Sequence, residues 1–574
     1  MQTLLLMVLC FAAYIIAYYT YGKYLARKIF KLDPDRLPPS KQLHDGIDYV
    51  PSRKIVIFGH HFTSIAGTGP IVGPAIGVIW GWLPAILWVT IGCIFMGAVH
   101  DLGTLVVSLR NDGKSIADVA DKYINRRVRF IFFAIVFLVL LIVIAIFGVV
   151  IAIVFAKFPS SVLAVWLQIP IAIALGWAVY KKNINIPLAT VLAVLAMYAT
   201  IWLGSIFKFT MPVIGTMPPT GSWTLILLIY AFIASTLPVT TLLQPRDYIN
   251  AWQLFIMMIL LAVSVAVVSF TKGLPLVAPA FNPSPAGAPP MMPFLFITIV
   301  CGAISGFHAL VSSGTSPKQI EKETDALFVG FGSMLTEGAL AVLIIICVAA
   351  GIGLAYKTSA GNILTGTAAW QQHYASWSGA QGLDTKITAV VFGAANIMDS
   401  IGIPNSVGFA LMGVFIASFA GTTLDTAARL QRYIVSELAL SLKLPKFTNR
   451  YTATTFAVVT AAILAFATGA NGQGAMILWP LFGAVNQLLA ALALLVVTIY
   501  LKRKGGIKYL ITLLPCLVML VITIWAMVCN LKDFASTSKH LLLVIGSIVL
   551  VLAAWMVIET AIILLASSGK KTYL

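Results

Sequence analysis

The fold of this 574-residue chain is decided by the stretch His61-Phe-Thr-Ser-Ile-Ala-Gly67-Thr68-Gly69-Pro70, which returns as His308-Ala-Leu-Val-Ser-Ser-Gly314-Thr315-Ser316-Pro317. Both copies follow the pattern H-x5-G-T-x-P without a gap, at an offset of 247 residues. Each copy interrupts an apolar run with a histidine, a Gly-Thr pair and a proline. Proline removes a helical hydrogen bond, and lipid-facing helix surfaces exclude such polar groups. The pair therefore predicts two discontinuous helices.

The composition indicates that the chain lies in a membrane. Hydrophobic residues make up 60% of it and charged residues only 10%, whereas a soluble protein has roughly 25% charged residues. The net charge of +18 does not predict a nucleic-acid partner, because the basic residues lie in short loops between apolar runs. The six cysteines have no C-x2-C spacing, so neither a metal site nor a disulfide is indicated. We predict an all-α, polytopic protein embedded in the lipid bilayer.

Apolar runs long enough to cross a bilayer predict fifteen transmembrane helices, or sixteen if a shorter segment at 386–402 also crosses. That segment is alternatively re-entrant or half-spanning. The predicted helices lie near residues 2–21, 55–79, 80–108, 129–157, 161–180, 186–206, 222–243, 252–271, 292–315, 325–354, 404–424, 453–469, 475–501, 509–530 and 540–566. We divide the single membrane domain, 1–574, into a first helix with a basic loop (1–54), a first repeat (55–251), a second, inverted repeat (292–435) and accessory helices (453–574).

The positive charges predict the orientation of these helices. Thirty of the 37 Lys and Arg residues lie in one alternating set of loops, and seven lie in the other set. Cytoplasmic loops carry the excess of basic residues, so we expect the N-terminus outside and the C-terminus inside a bacterial cytoplasmic membrane. The His61 helix then runs outward and the His308 helix runs inward.

One motif on two antiparallel helices is typical of an inverted repeat, in which the substrate binds near the membrane midplane between broken helices. A chance match of four positions is the alternative explanation. Unwound backbone must face protein, ions or a water-filled cavity, and the N-terminal end of a half-helix favours an anion. The predicted substrate-binding residues are His61, Ala66, Gly67, Thr68, Gly69, His308, Ser312, Ser313, Gly314 and Thr315.

Ionisable residues inside apolar runs indicate a second function, because an unpaired charge in the bilayer is costly. The predicted proton-coupling residues are His100, Asp101, Glu337 and Asp399. An alternative for His100 and Asp101 is an interfacial pair at the cytoplasmic end of their span. For His60 we expect a hydrogen bond to a backbone carbonyl. The adjacent Asn486 and Gln487 are interpreted as contacts between helices.

Two segments at the predicted cytoplasmic edge mix both signs of charge with aromatic residues. Their candidate gate residues are Arg246, Asp247, Asp425 and Arg429, which we expect to form ion pairs that break when the site opens inward. Helix capping and snorkelling explain the same pattern nearly as well. Enzyme signatures are missing from the sequence: it has no H-E-x-x-H, no G-x-S-x-G and no complete phosphate loop. No enzyme activity and no cofactor are therefore expected.

The motifs together resemble those of the carbon starvation protein A family of bacterial inner-membrane transporters. The resemblance covers about residues 20–500 and rests on His61–Pro70, Gly97–Asp101, Leu243–Tyr248, Ser305–Thr315, Glu337-Gly338 and Trp479–Gln487. It implies uptake of peptides or pyruvate during carbon limitation, with proton symport for pyruvate, and a relation to the amino acid–polyamine–cation superfamily. The chain departs from a simple five-helix repeat, because seven predicted spans separate the two motif starts, and Ala428 replaces an expected hydroxyl residue.

The leading hypothesis is a proton-coupled symporter for a small nutrient that carries a carboxylate, with protons as the coupling ion. A peptide would also need an acidic partner for its amino end, for which Glu337 or Asp399 is the expected residue. A sodium-coupled carrier, a passive channel and a nutrient sensor without net transport are the alternatives. The sequence leaves the choice between peptide and pyruvate open.

Overall fold

The computed structural model describes residues 1–182, 184–357 and 361–566. The last predicted loop, 567–574, lies outside them. The helices are α1 Gln2–Ala17, α2 Pro39–Gln42, α3 Lys54–Ala66, α4 Gly69–Gly77, α5 Trp82–Leu87, α6 Ala98–Leu109, α7 Ile116–Tyr123, α8 Arg126–Lys157, α9 Ser160–Tyr180, α10 Ile186–Ile206, α11 Pro219–Thr236, α12 Leu243–Thr271, α13 Met291–Thr298, α14 Gly306–Gly314, α15 Ser333–Ala349, α16 Gly366–His373, α17 Trp377–Ala380, α18 Leu383–Asp399, α19 Asn405–Ser441, α20 Arg450–Phe466, α21 Trp479–Arg503, α22 Leu510–Ser536 and α23 His540–Ala566.

Short π- and 3-10-helical segments extend several of these helices. The π segments are Tyr18–Gly22, Leu25–Ile29, Trp88–Gly97 and Leu327–Gly332, and the 3-10 segments are Val78–Trp80, Ser316–Lys318, Glu323–Asp325, Gly351–Leu354, Pro445–Thr448 and Gly474–Leu478. Within the described residues the one sheet is a short antiparallel ribbon of β1 Tyr356–Lys357 and β2 Ile363–Leu364, in which Tyr356 pairs with Leu364. The prediction of an all-α, polytopic membrane protein is confirmed.

Twelve of the described helices are long and apolar enough to cross a membrane, or thirteen if the bent pair of α3 and α4 counts as one span. The two other predicted spans are shorter or interrupted in the structure. The one at 453–469 is α20, a helix of 17 residues, and the one at 292–315 is divided between α13 and α14. The segment at 386–402 is most of α18, another 17-residue helix, which turns back through residues 400–404 to pack against α19.

The first predicted break is where the sequence places it. The chain bends by 42° between α3 and α4, and Gly67 has a φ of +44°, which glycine tolerates better than other residues. A Cβ atom at Gly67 would lie 2.6 Å from the Thr423 hydroxyl oxygen. Both the backbone and the packing therefore require glycine at this position.

The second break is not where the repeated motif predicts it. It comprises residues 299–305, between α13 and α14, whereas Gly314 ends α14 and Thr315 caps it. The physical reason lies in other helices, because their side chains bind the backbone groups that the break releases. Trp88 donates its indole N–H to the Ile299 carbonyl oxygen at 3.0 Å, and the side-chain oxygen of Asn486 accepts from the Phe307 N–H at 2.9 Å. The 247-residue offset therefore relates two sequences but not the two breaks.

The broken helices lie at the centre of the described structure. α3 packs against α12, α14 packs against α6 and α21, and α4 packs against α15 and α18. The long helices α8 and α19 pack along each other next to them. Most side chains of α19 and α21 are buried, while α1, α10 and α23 expose apolar side chains as a lipid-facing helix does. The polar residues of the breaks are thus shielded from the surrounding lipid.

Candidate functional site

A cavity of about 680 Å³ lies where the two breaks meet, within the size range of small-molecule sites. The first break lines it with Ala66, Gly67, Thr68 and Gly69, and the second break lines it with Cys301 among others. Much of the remaining wall is apolar or aromatic. The predicted residues of the first break therefore do border a site that can hold a small molecule.

The two breaks touch because one of them carries small residues. A Cβ atom at Gly69 would lie 2.1 Å from the Cys301 sulfur, and one at Gly73 would lie 2.6 Å from the Thr298 carbonyl oxygen. Glycine ladders allow this kind of close helix approach. The spacing of glycines along α4 thus brings the start of α4 against the second break.

The carbonyl groups released at the end of α3 are bound by hydroxyl groups of α19. Thr422 donates to the Thr63 carbonyl oxygen at 3.2 Å, and Thr423 donates to the Ser64 carbonyl oxygen at 3.3 Å. The start of α4 has the opposite polarity, because the N-terminal end of a helix carries partial positive charge and free N–H groups. At Gly69 this end borders the cavity, so the first break presents donors to a bound anion.

The second copy of the motif does not line the cavity, which corrects the prediction for Ser312, Ser313, Gly314 and Thr315. These residues connect α14 to its neighbours. Ser313 accepts a hydrogen bond from the Ile116 N–H at 3.0 Å, and a Cβ atom at Gly314 would meet the Leu430 side chain at 2.2 Å. Ser312 is fully buried and does not line this cavity.

The histidines His61 and His308 do not line the cavity either; both are fully buried behind its wall. His61 Nδ1 lies 2.7 Å from the Ser316 hydroxyl oxygen. His60 lies with its Nδ1 2.5 Å from an Asp247 carboxylate oxygen and its Nε2 3.1 Å from the Thr315 hydroxyl. The expectation that His60 binds a backbone carbonyl was therefore wrong, because the fold places the Asp247 carboxylate beside it.

Four of the predicted ionisable residues form one buried cluster, which we call the acid–histidine cluster: His100, Asp101, His308 and Glu337. His308 bridges two carboxylates, with Nδ1 3.1 Å from an Asp101 oxygen and Nε2 3.3 Å from a Glu337 oxygen. His100 Nδ1 lies 2.7 Å from the other Asp101 oxygen. All four side chains are fully buried, so the interpretation of His100 and Asp101 as an interfacial pair is not supported.

Glu337 is the least satisfied member of the cluster. Neither of its carboxylate oxygens accepts a hydrogen bond from any described residue. A buried carboxylate whose oxygens accept no hydrogen bond is costly as an anion, and protonation removes that cost. The Cys301 sulfur, a His308 ring nitrogen and a Glu337 oxygen lie within 4.8 Å of one another. Since Cys301 also lines the cavity, the cluster is in direct contact with the cavity wall.

The fourth predicted proton-coupling residue is not part of this arrangement. Asp399 lies at the end of α18, is exposed and does not line the cavity. Because α18 turns back at this point, its last residue lies at the surface and apart from the buried cluster.

The predicted gate residues form ion pairs, but not only with each other. Arg246 binds Asp425, and both contact the hydroxyl of Tyr230. Asp247 pairs with His60, as described above. Arg429 instead binds Asp48, with Nη1 2.7 Å from a carboxylate oxygen.

Asp48 is also bound by Arg432, which donates to both of its carboxylate oxygens at 2.8 Å. Burial alone would raise the pKa of Asp48, but the guanidinium groups of Arg429 and Arg432 and the Lys318 ammonium hold it well below its usual value. We call Asp48, Arg429 and Arg432 the arginine clamp. Sequence reasoning missed Asp48 and Arg432. The available signal was an acid close to the start of α3 in an otherwise basic loop, but Asp33, Asp35 and Asp45 share that loop.

A protein-family model and several known proteins match this chain by sequence. The model of the family described as Carbon starvation protein CstA matches residues 2–526. The chain belongs to the carbon starvation protein CstA family. It is similar to the peptide transporter CstA of Campylobacter jejuni (32% identity, covering 93% of the chain and 81% of the relative) and to that of Bacillus subtilis (33%, covering 91% and 89%). It is also similar to the pyruvate/proton symporter BtsT of Escherichia coli (29%, covering 92% and 81%).

Solved structures with a similar course of the chain are more distant. A point mutant of the manganese transporter of Eremococcus coleocola has a TM-score of 0.46 and 14% identity, covering 91% of this chain and 99% of that one. MhsT in complex with L-phenylalanine has a TM-score of 0.44 and 11% identity, covering 83% and 98%. The match to the CstA family therefore rests on sequence.

Proposed function

We propose that this protein is a secondary active transporter that imports a small nutrient bearing a carboxylate, a peptide or pyruvate, together with protons across the bacterial inner membrane. The relatives named peptide transporter and pyruvate/proton symporter support both substrate classes. The observation that carries the proposal is the contact between cavity and cluster. Cys301 belongs to the cavity wall and lies within 4.8 Å of His308 and Glu337 ligand atoms.

Substrate binds between the two breaks in this proposal. The N–H groups at the start of α4, at Gly67 to Gly69, donate hydrogen bonds to the carboxylate, and the partial positive charge of a helix N-terminus stabilises the anion. The apolar remainder of the wall contacts the rest of the molecule. A substrate of a few non-hydrogen atoms fits with room to spare, and so does a dipeptide.

Protons bind at the acid–histidine cluster. Asp101 and Glu337 both contact the imidazole of His308. Gain or loss of one proton by the cluster therefore changes whether Glu337 is neutral or charged. The short helix α14 connects this cluster to the substrate, since Phe307 lines the cavity and the next residue is His308. A movement of α14 toward the substrate therefore also moves His308 relative to Glu337, which couples the two binding events.

The cavity lining includes Gly287 and Lys539, which are exposed, and Trp377, which is partly exposed. These residues belong to connecting segments that the charge distribution assigns to the outside of the cell. The arginine clamp lies toward the opposite, basic face, and in the proposal it closes the inner end. We propose that the N-terminus is outside and the C-terminus is cytoplasmic, and that transport requires the clamp and the Arg246–Asp425 pair to open. The two broken-helix regions then rock against each other around the site.

The test is uptake of labelled pyruvate and of a labelled dipeptide into proteoliposomes, in sodium-free buffer, with and without an inward proton gradient. Symport of one proton per substrate accumulates the substrate up to about tenfold per pH unit. Glu337→Gln should abolish accumulation yet leave exchange of internal for external substrate, because it removes only the titrating group. Glu321→Gln is the matched control, since the Glu321 side chain is 39% exposed and forms a surface ion pair with Lys41, a type of pair that contributes little to stability.

Three outcomes would contradict the proposal. Uptake by the parent protein that is indifferent to the proton gradient would favour a passive channel. Uptake that appears only after sodium is added would favour sodium coupling at the carbonyl groups of the breaks. Accumulation by Glu337→Gln equal to that of Glu321→Gln would exclude Glu337 from proton coupling.

A further inference from the structure

Lys386 is a buried cation in the cavity wall. It lies in the first turn of α18, and only 7% of its surface is exposed. Its ammonium lies 5.8 Å from the centre of the Trp479 ring, and within the described residues no carboxylate forms an ion pair with it. A buried charge without a partner is costly. A binding site for an anion is a physical reason to keep one.

The other charged residues that line the cavity do not compensate Lys386. They are Asp533 and Lys539, which pair with each other at 3.7 Å and are each about half exposed. Their charges cancel, so the cavity lining has a net formal charge of +1. Glu337 and Asp399, the acids that the sequence offers for the amino end of a peptide, are not in this lining.

We propose that Lys386 binds the carboxylate of the substrate and that its uncompensated charge selects monocarboxylate anions over zwitterionic peptides. This inference rests on the proposed function, because it assumes that the cavity is the substrate site. A monocarboxylate neutralises the cavity. A dipeptide brings one carboxylate and one ammonium, and the ammonium finds no free carboxylate in the described lining.

The aromatic residues around Lys386 strengthen its interaction with an anion. Trp377 and Trp479 line the same cavity, and the Trp479 ring lies 5.8 Å from the ammonium. Charge-assisted hydrogen bonds are stronger than neutral ones, and electrostatic interactions increase as water is removed. Lys386 and the start of α4 border one cavity, so a bound carboxylate receives a full charge from the first and N–H donors from the second.

The test compares four proteins: the parent, Lys386→Gln, Lys386→Arg and the control Lys532→Gln. Lys532 is exposed, belongs to α22 and does not line the cavity. In proteoliposomes we expect Lys386→Gln to raise the KM for pyruvate at least tenfold. Lys386→Arg keeps the positive charge, so its KM for pyruvate should lie close to that of the parent. The accumulation ratio at saturating pyruvate should be unchanged, because the acid–histidine cluster is intact. In the parent, a dipeptide should compete with pyruvate at least tenfold more weakly than unlabelled pyruvate does.

A binding measurement keeps this test separate from the test of transport. Pyruvate should raise the unfolding temperature of the purified parent protein and of Lys532→Gln, whereas its uncharged amide should not, since only a ligand that binds the folded state stabilises it. Lys386→Gln should lose the stabilisation by pyruvate but unfold at a temperature no lower than the parent, because no ion pair is removed. These shifts are measurable even if no protein shows uptake driven by a proton gradient.

Several results would overturn the inference. Equal KM values for pyruvate in the parent and in Lys386→Gln would show that Lys386 does not bind the carboxylate. Equal competition by dipeptide and pyruvate would show that the charge does not select the substrate. A large fall in the unfolding temperature of Lys386→Gln without ligand, with pyruvate still stabilising it, would assign Lys386 a structural role.

Discussion

Asp48→Asn is the substitution that most directly tests how the inner end of the cavity is closed. Asp48 precedes α3, while Arg429 and Arg432 belong to α19, so the arginine clamp joins two elements that must separate for the cavity to open inward. The asparagine keeps the size of the side chain and removes the charge that both guanidinium groups share. The conformation with a closed inner end should become less favourable relative to the one with an open inner end.

The size of the effect follows from burial. The side chains of Arg429 and Arg432 are 0% and 3% exposed, and that of Asp48 is 17% exposed. Loss of one partner from a fully buried pair costs about 3 to 5 kcal/mol, and an exposed pair contributes about 0 to 1 kcal/mol. The clamp lies between these limits, so we expect about 2 to 3 kcal/mol. This free energy corresponds to a change of about 30- to 150-fold in the ratio of open to closed molecules.

Cys301 provides the measurement, because it lines the cavity at the second break. A membrane-impermeant maleimide is applied to inside-out and to right-side-out vesicles, and the modification of Cys301 is followed by peptide mass spectrometry. The ratio of inner-side to outer-side labelling reports which end is open. It should rise about 30- to 150-fold in Asp48→Asn. The buried Cys93, Cys347 and Cys516 should stay unlabelled and exclude general unfolding.

Asp112→Asn is the matched control. It removes the same charge near the same face, and the Asp112 side chain forms no ion pair within the described residues. Asparagine also tolerates the φ of +58° at this position. Two results would refute the role of the clamp. One is a labelling ratio in Asp48→Asn equal to that of the parent, and the other is an equally raised labelling ratio in Asp112→Asn.

The pH dependence gives a second arm of the same test. The clamp holds the pKa of Asp48 below its usual value. The stabilisation of the closed inner end by the clamp is therefore fully present above the pKa of an ordinary aspartate, about 3.9. It is lost only as the pH falls through the lowered pKa. The labelling ratio of the parent should therefore be flat between about pH 5.5 and pH 8. A rise in the ratio on acidification within that window would mean that another group controls the inner end.

Two further substitutions test the contact between the breaks and the cap of α14. Gly69→Ala places a Cβ atom 2.1 Å from the Cys301 sulfur, and such overpacking costs about 1 to 3 kcal/mol. Uptake and the unfolding temperature should therefore fall, and both should recover in the double variant with Cys301→Gly. If they do not recover, Gly69 matters for another reason. Asn486→Ala removes the side-chain oxygen that accepts from the Phe307 N–H at 2.9 Å. The unpaired N–H costs about 1 to 3 kcal/mol, so the unfolding temperature should fall. An unfolding temperature equal to that of the parent would show that the Asn486 amide does not support the second break.

The first break and the membrane architecture are local properties, and the sequence predicts them. Gly67 at a positive φ and Pro70 in the first turn of α4 limit the backbone whatever surrounds them. The pairing of the buried acids Asp101 and Glu337 with another ionisable group is also predictable, because a charge in an apolar run must find a partner. Their common partner, His308, was predicted for the substrate site instead, since spacing along the chain does not show which side of a wall a residue occupies.

The second break, the arginine clamp and the role of Lys386 are properties of the tertiary structure. Residues 299–305 contain only one glycine and no proline. They stay unwound because Trp88 binds the Ile299 carbonyl oxygen and Asn486 binds the Phe307 N–H at the start of α14. Asp48 meets Arg429 across 381 positions of the chain. A local pattern determines where a helix can end, but ion pairs and hydrogen bonds between distant segments determine which polar group is satisfied and which remains free to bind a ligand.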